Sequence, residues 1–160
     1  MAAASDFEQF ADHIRTDQLP HSLIVDCSND PAIASRHAAW LREGIHVVTA
    51  NIAALAGSID DYDQIRNERK TGESYYGFET AIGGGVPVLS VLKPLLHGGD
   101  SINYIECCLS STLSYIFGRL SPKDTGSPGV RFSEALEEAR AQGLMETDPM
   151  DDILGKVLYA

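Results

Sequence analysis

The sequence predicts an α/β fold in which helices cover the faces of a parallel sheet. Two observations carry this prediction. Helix-like and strand-like segments alternate through the first half of the chain, and the strand-like segments are short, unbroken apolar runs. Parallel strands need helical connections, and strands buried on both faces are apolar along their whole length. The second half follows a different order and predicts part of an α+β region.

The first helix and the first strand are predicted from side-chain periodicity. Residues 5–15 carry apolar side chains at helical spacing, and Ser5 followed by Glu8 fits a capping box. Residues 23–25 form a continuous apolar run that ends at Asp26. We expect this strand to be buried on both faces.

The next segment, residues 31–43, predicts one helix. Asn29 or Asp30 is its N-terminal cap, a proline follows at the first helical position, and Gly44 ends it. The later elements of the first half, in order, are a strand at 45–49, a helix at 58–70 and a strand at 74–78.

The second half begins with a glycine run at residues 83–85, which is either a plain turn or a cradle for an anion. Residues 111–120 are apolar enough for a helix or an extended segment, and periodicity does not decide between them. The remaining predicted elements are a helix at 88–96, a strand at 101–109 and a helix at 132–142, capped by Ser133 and ended by Gly143.

Small polar residues follow each of the three predicted strands. Open α/β sheets bind ligands beyond the carboxyl ends of their strands, so the sequence predicts a small-molecule site at this edge. These strand ends are residues 26–29, 49–51 and 79–81. A dense acidic cluster over residues 146–152 is either a solvated face or a set of carboxylates that binds an ammonium group or positions water. Its members are Glu146, Asp148, Asp151 and Asp152.

The charge balance excludes several classes of partner. Lys and Arg total 12 against 23 Asp and Glu, and the net charge is −11. A nucleic-acid binder needs a basic face, and an anionic membrane surface attracts basic segments, so we expect neither partner. No apolar run is long enough to span a membrane, no leader peptide is apparent, and the three cysteines have no metal-like spacing. We therefore expect a cytoplasmic protein with reduced thiols.

Four stretches together resemble the homoserine dehydrogenase family, most closely the homoserine dehydrogenase portion of bacterial fused aspartokinase–homoserine dehydrogenases. They read LIVDCSNDPAIASRHAAWLREGIHVVTANIAAL, FETAIGGGVPVL, GDSINYIECCLSSTLSYIFGRL and ARAQGLMETDPMDDILG. The resemblance implies a partial Rossmann-like NAD(P)-binding domain over residues 1–77. It also implies part of a catalytic and dimerisation domain over residues 78–160, with residues 101–109 in the dimer sheet.

The implied reaction is the NAD(P)-dependent interconversion of L-homoserine and L-aspartate 4-semialdehyde, a step in threonine and methionine biosynthesis. The resemblance assigns three sets of residues to ligands. The cofactor-side residues are Ser28, Thr49 and Asn51. The substrate-side residues are Glu146 and Asp151. A sodium ion, bound through carbonyl oxygens in some members, would lie at Glu79, Ile82, Gly84 and Val86.

Several positions depart from the family pattern. The family's T-P-N-K segment ends in Ile52 here, and Val157 replaces an aspartate of the substrate pocket. We expect the family's first strand and glycine-rich dinucleotide loop to precede residue 5, and its catalytic lysine to fall after Ala160. The sequence therefore predicts a homoserine dehydrogenase-like chain with little or no turnover. The alternative is a non-catalytic paralogue that acts as a dimerising or regulatory module.

Overall fold

The computed structural model describes residues 7–15, 21–107, 109–122 and 128–145. The chain forms two compact units, Met1–Ala81 and Ile82–Ala160. The first unit contains α1 (Phe7–Ile14), β1 (Leu23–Asp26), α2 (Pro31–Ala34), α3 (His37–Arg42), β2 (His46–Thr49), α4 (Ile59–Thr71) and β3 (Tyr76–Gly77). The second contains α5 (Val88–His97), α6 (Ser111–Leu120) and α7 (Phe132–Ala141).

The predicted parallel sheet is confirmed. Its three strands lie in the order β1–β2–β3, and both pairings are parallel. Ile24 pairs with Val47, which in turn pairs with Tyr76, so these three side chains share one face of the sheet. The carboxyl ends of β1 and β2 consequently meet at one edge.

The expectation that β1 is buried on both faces is wrong. Ile24 and Asp26 are buried, whereas Leu23 is 56% exposed and Val25 is 62% exposed. Alternate side chains of a strand point to opposite faces, so an apolar run does not by itself show that both faces are covered. Of the two faces of β1, the one that carries Asp26 is the buried one.

The helix predicted over residues 31–43 is two helices, α2 and α3. Asp30 is the cap, since its carboxylate accepts the backbone N–H of Ala32 at 2.8 Å. The helices are separated by a turn in which the Ser35 hydroxyl donates to the Ala32 carbonyl. This hydroxyl competes for a carbonyl of the helix and ends α2 early. Gly44 ends α3 as predicted, with a φ of +81° that favours glycine.

The packing of α4 against α3 shapes the rest of the first unit. Ser58 and Asp61 form a capping box at the N-terminus of α4. Its C-terminus lies so close to α3 that a Cβ on Gly72 would come within 1.8 Å of the Leu41 carbonyl oxygen. Only glycine allows this approach between the end of α4 and α3.

The second unit has a small helical core. Ile116 of α6 is fully buried against Ala135 and Ala139 of α7. Residues 111–120 are therefore helical, and Ser110 caps them by accepting the Leu113 N–H. At α7 the cap position is Arg131 rather than the predicted Ser133, and the helix begins at Phe132, two residues earlier than a cap at Ser133 allows.

The strand predicted over residues 101–109 is not observed. Residues 101–107 have no regular structure and are exposed, and residue 109 is likewise outside any strand. A strand needs a neighbour to bond its backbone groups, and no such neighbour occurs in the described residues of the second unit. In the portion of the chain that can be described, no helix is long and apolar enough to cross a membrane.

Candidate functional site

A buried carboxylate lies at the carboxyl end of β1. Asp26 accepts the backbone N–H of Ser28 at 2.9 Å and its hydroxyl at 2.6 Å, both on Oδ1. Its other oxygen, Oδ2, accepts from the Asn51 amide at 3.0 Å and the Thr49 hydroxyl at 3.5 Å. One carboxylate thus ties the loop after β1 to the end of β2.

Asn51 extends these contacts to the next turns of the chain. Besides Asp26, its amide nitrogen donates to the Asp30 carbonyl at 2.9 Å, and its Oδ1 accepts the backbone N–H of Ala53 at 3.1 Å. Its own backbone N–H donates to the Thr49 hydroxyl at 2.9 Å. The side chain is fully buried and is bonded on both sides, so it fixes the two loops relative to each other.

An imidazole completes this polar cluster from the helix side. His37 of α3 places Nε2 3.0 Å from Asp26 Oδ2 and Nδ1 3.1 Å from the hydroxyl of Tyr76 on β3. The ring is 0% exposed. We call Asp26, Ser28, His37, Thr49, Asn51 and Tyr76 the strand-end network.

Burial and hydrogen bonding set the protonation of the network. Burial raises the pKa of Asp26, but the donors from Ser28 and Asn51 and the nearby His37 outweigh it and hold that pKa below its ordinary value. Burial lowers the pKa of His37 despite the opposing effect of Asp26. Burial, helped by the charge of Asp26, raises the pKa of Tyr76. At neutral pH the network therefore holds one carboxylate, a neutral imidazole and a neutral phenol.

The structure brings together the three residues assigned to the cofactor. Ser28, Thr49 and Asn51 all bond Asp26, and Ser28 is the most exposed of the three. Ile52 follows directly and begins a 3-10 turn, Ile52–Ala54, where its side chain is half-buried. The three assigned residues thus form one rigid group at the strand ends.

Asp26 was predicted only as part of a strand end, and neither it, His37 nor Tyr76 was assigned to a ligand. A signal was present for two of these three residues, because Asp26 ends an apolar run and His37 lies among apolar positions of a predicted helix. Buried polar groups need partners, so two such residues in buried segments predict a hydrogen bond between them. Tyr76 carried no comparable signal.

The four residues predicted to bind sodium lie within residues 79–86. Glu79 begins the 3-10 turn Glu79–Ala81 at the end of the first unit. Ile82, Gly84 and Val86 lie in the turn that opens the second unit, where Gly83 and Gly84 have φ of +72° and +60°. The sodium ion stays a prediction of the resemblance. The described residues contain no group of three or more His, Cys, Asp or Glu side chains placed to hold a metal. Glu146 and Asp151 lie outside the described residues.

Comparison with known protein families shows to which family the chain belongs. The NAD-binding domain of homoserine dehydrogenase matches residues 2–79, and the family's homoserine dehydrogenase domain matches residues 87–157. The chain belongs to the homoserine dehydrogenase family. Its resemblance to this family is therefore confirmed over both units, in the order that the sequence motifs predicted.

Individual relatives agree with this assignment. The chain is 39% identical over 152 residues to the chloroplastic bifunctional aspartokinase/homoserine dehydrogenase 2 of Arabidopsis thaliana, covering 94% of this chain and 16% of the relative. It is 37% identical over 134 residues to the homoserine dehydrogenase of Emericella nidulans, covering 84% and 36%. This homoserine dehydrogenase-family chain thus spans well under half the length of either relative.

A solved structure shows the same fold. A hyperthermophilic archaeal homoserine dehydrogenase in complex with NADPH superposes with a TM-score of 0.66 at 29% identity, covering 86% of this chain and 40% of that one. The α/β prediction with a Rossmann-like parallel sheet is confirmed by this likeness and by the pairing of β1, β2 and β3.

Proposed function

We propose that the strand-end network forms the nicotinamide side of an NAD(P) site. The observation that carries this proposal is the convergence of Ser28, Thr49 and Asn51 on one buried carboxylate at the carboxyl ends of β1 and β2. That edge is where open α/β sheets bind ligands. A preorganised edge binds a cofactor with a smaller entropic cost than loops that must order on binding.

The residues differ in what they contribute to this site. Thr49 and Asn51 are buried and hold the edge in shape, whereas Ser28 is half-buried and the neighbouring Cys27 is exposed. We infer that residues 27–30 contact the cofactor and that Thr49 and Asn51 support them. The cofactor would supply hydride, and this chain's residues would bind and orient it.

The substrate class follows from the family. We propose that the reaction is the interconversion of L-homoserine and L-aspartate 4-semialdehyde, a step of threonine and methionine biosynthesis in the cytoplasm. Glu146 and Asp151 would hold the substrate's ammonium group, since paired carboxylates suit a cation.

We further propose that turnover by this chain is weak or absent. Hydride transfer to an aldehyde leaves negative charge on its oxygen, and a cation or donor must stabilise that charge. Ile52 stands where the family pattern has a lysine beside the cofactor, and an apolar side chain donates nothing there. Loss of one preorganised donor typically lowers the rate by roughly 10²–10³-fold.

Two measurements on the purified chain test these proposals separately. Fluorescence titration with NADPH should show saturable binding, and oxidation of NADPH in the presence of aspartate semialdehyde should stay at the blank rate. Ile52→Lys should leave the NADPH affinity within about threefold, because the strand-end network is untouched. Absence of saturable binding contradicts the cofactor site. Robust turnover by the unmodified chain contradicts the role given to Ile52.

A specific surface favours a second function, that of a self-associating module. Helix α5 has no buried residue, and its Val91, Leu95 and Leu96 are exposed. Ile102, Tyr104 and Ile105 are also exposed, in the segment that forms no strand within the chain. Apolar surface of this kind marks interaction sites. We propose that these residues form a homodimer contact in which residues 101–107 pair across two copies.

Sedimentation velocity tests the second function. We expect a dimer at tens of micromolar, a concentration range in which contacts with a Kd near 1 μM are occupied. Replacing Tyr104 and Ile105 by serine should shift the chain to monomer without changing its helix content. A wild-type chain that sediments as a monomer at these concentrations contradicts the dimer.

A further inference from the structure

His37 connects three elements through one buried ring. It belongs to α3, its Nε2 lies 3.0 Å from Asp26 Oδ2 on β1, and its Nδ1 lies 3.1 Å from the Tyr76 hydroxyl on β3. These two strands flank β2, so the ring bridges the buried face of the sheet from one outer strand to the other. Sequence patterns of the strand ends alone did not place it at the site.

The hydrogen bonds define one tautomer of this ring. The Asp26 carboxylate only accepts, so Nε2 must carry the proton. Since burial disfavours the charged imidazole, Nδ1 is a lone-pair acceptor and the Tyr76 hydroxyl donates to it. The order of donation therefore runs from Tyr76 through His37 to Asp26.

The orientation of the Asp26 carboxylate is set by hydrogen bonds to both of its oxygens. Oδ2 receives His37, Asn51 and Thr49, and Oδ1 receives the N–H and hydroxyl of Ser28. His37 is the one donor among these that comes from a helix, whereas Thr49 ends β2 and Ser28 and Asn51 belong to the two loops that the carboxylate organises. It therefore supplies a reference point that does not move with the loops.

We propose that His37 is a positioning residue for the NAD(P) site. It fixes the rotation of the Asp26 carboxylate and, through it, the conformations of residues 27–30 and 50–53. This inference rests on the proposed cofactor site, and it adds a residue that touches no ligand. A purely structural role would lower stability without any selective effect on these two segments.

Four variants separate the positioning role from general destabilisation. His37→Phe keeps a ring of similar size and removes both nitrogens, and His37→Gln restores one donor and one acceptor. Tyr76→Phe removes only the phenolic hydroxyl, and it replaces His37→Phe as the test variant if His37→Phe does not fold. Ile65→Ala is the matched control, since Ile65 is buried in α4 of the same unit and has no part in the strand-end network.

The first readout needs no cofactor. Hydrogen exchange of the Ser28 and Asn51 backbone amides reports the two loops, because these groups donate to Asp26 and to Thr49. We expect His37→Phe to accelerate both amides at least tenfold more than Ile65→Ala does, with Tyr76→Phe changing them in the same direction and less. In the wild type, ¹⁵N chemical shifts should show a protonated Nε2 and an unprotonated Nδ1.

The second readout is the NADPH affinity of the full chain. His37→Phe should raise the Kd about tenfold, His37→Gln should recover part of it, and Ile65→Ala should leave it within twofold. Equal exchange rates, or equal Kd values, in His37→Phe and Ile65→Ala overturn the positioning role. If the wild type binds no NADPH, the proposed function fails, and the exchange rates alone decide the inference.

Discussion

The two faces of the three-stranded sheet differ in how polar and apolar side chains are distributed between the interior and the solvent. The buried face carries Asp26 and Thr49 beside Ile24 and Val47, while Leu23, Val25 and Val48 are exposed on the opposite face. Polar groups remain inside because each of them has a hydrogen-bond partner there. The comparison teaches that hydrogen bonding, and not hydropathy alone, holds the buried face together.

Removal of the carboxylate should have the largest effect on the buried face. Asp26→Ala leaves His37, Asn51 and Ser28 without their shared acceptor, and we expect a loss of about 3–5 kcal/mol in the free energy of unfolding. Urea unfolding followed by far-UV circular dichroism measures it. Ile24→Val, on the same strand and face, is the control and should cost about 1 kcal/mol. A loss from Asp26→Ala no larger than the control's would show that the network contributes little.

Acid should have the second-largest effect, because it weakens the buried face. The folded state lowers the pKa of His37 below 6.5, so the unfolded chain binds that proton more readily than the folded chain does. The contribution of neutral His37 to the free energy of unfolding is complete above about pH 6.5, and it is lost as the pH falls toward the pKa of His37 in the folded state. We expect the free energy of unfolding to fall from pH 7 to pH 5, and His37→Phe to flatten that slope.

Urea unfolding at intervals of half a pH unit checks this prediction. Asp26 adds a second loss below its ordinary pKa of 3.8, because its folded pKa is also lowered. Identical slopes between pH 7 and pH 5 in the wild type and in His37→Phe would assign the acid effect to other groups.

A smaller change is expected when only the phenolic hydroxyl is removed. Tyr76→Phe leaves His37 Nδ1 without its donor, and a buried unpaired acceptor costs about 1–2 kcal/mol. The ring of Tyr76 stays in place, so the apolar contacts are kept. Thermal unfolding monitored by circular dichroism compares Tyr76→Phe with Tyr75→Phe, whose hydroxyl belongs to an exposed side chain. Equal melting temperatures in the two variants would contradict the bond.

The exposed face should tolerate substitution best. Val25→Thr keeps a β-branched side chain on β1 and adds a hydroxyl to a position that is already 62% exposed. We expect a change within about 0.5 kcal/mol in urea unfolding. The matched change on the buried face, Val47→Thr, should cost several times more. Similar losses for the two variants would mean that the exposed face is covered in solution.

The sequence predicted the sheet better than the contacts made upon it. Apolar runs located β1 and β2, and turn chemistry predicted Gly44 at one helix end and either Asn29 or Asp30 at the other, where the structure has Asp30. The network could not be predicted in full, because the bond between His37 and Tyr76 joins residues 39 positions apart and depends on how α3 crosses the sheet. Local helix and strand propensity contains no information on contacts between residues so far apart in the sequence.

Two errors have the same physical origin. The apolar run of β1 gave no information on which face would be covered, and the pattern of residues 101–109 gave none on whether a partner strand was available. Strand pairing and face burial are tertiary properties, so β propensity predicts them poorly. The prediction of one helix over residues 31–43 was wrong for a local reason. The Ser35 hydroxyl bonds the Ala32 carbonyl, and hydrophobic periodicity contains no information on such a bond.

Mapping NADPH binding by amide chemical shifts tests the central claim most directly, because it reports both whether the cofactor binds and where. Titration of the ¹⁵N-labelled chain should give saturable shifts that are largest at Cys27, Ser28 and Asn51, at the carboxyl ends of β1 and β2. Amides of α4 should move little. Saturable shifts centred away from residues 27–30 and 50–53, or no saturable shifts at all, would contradict the claim that this edge is the cofactor site.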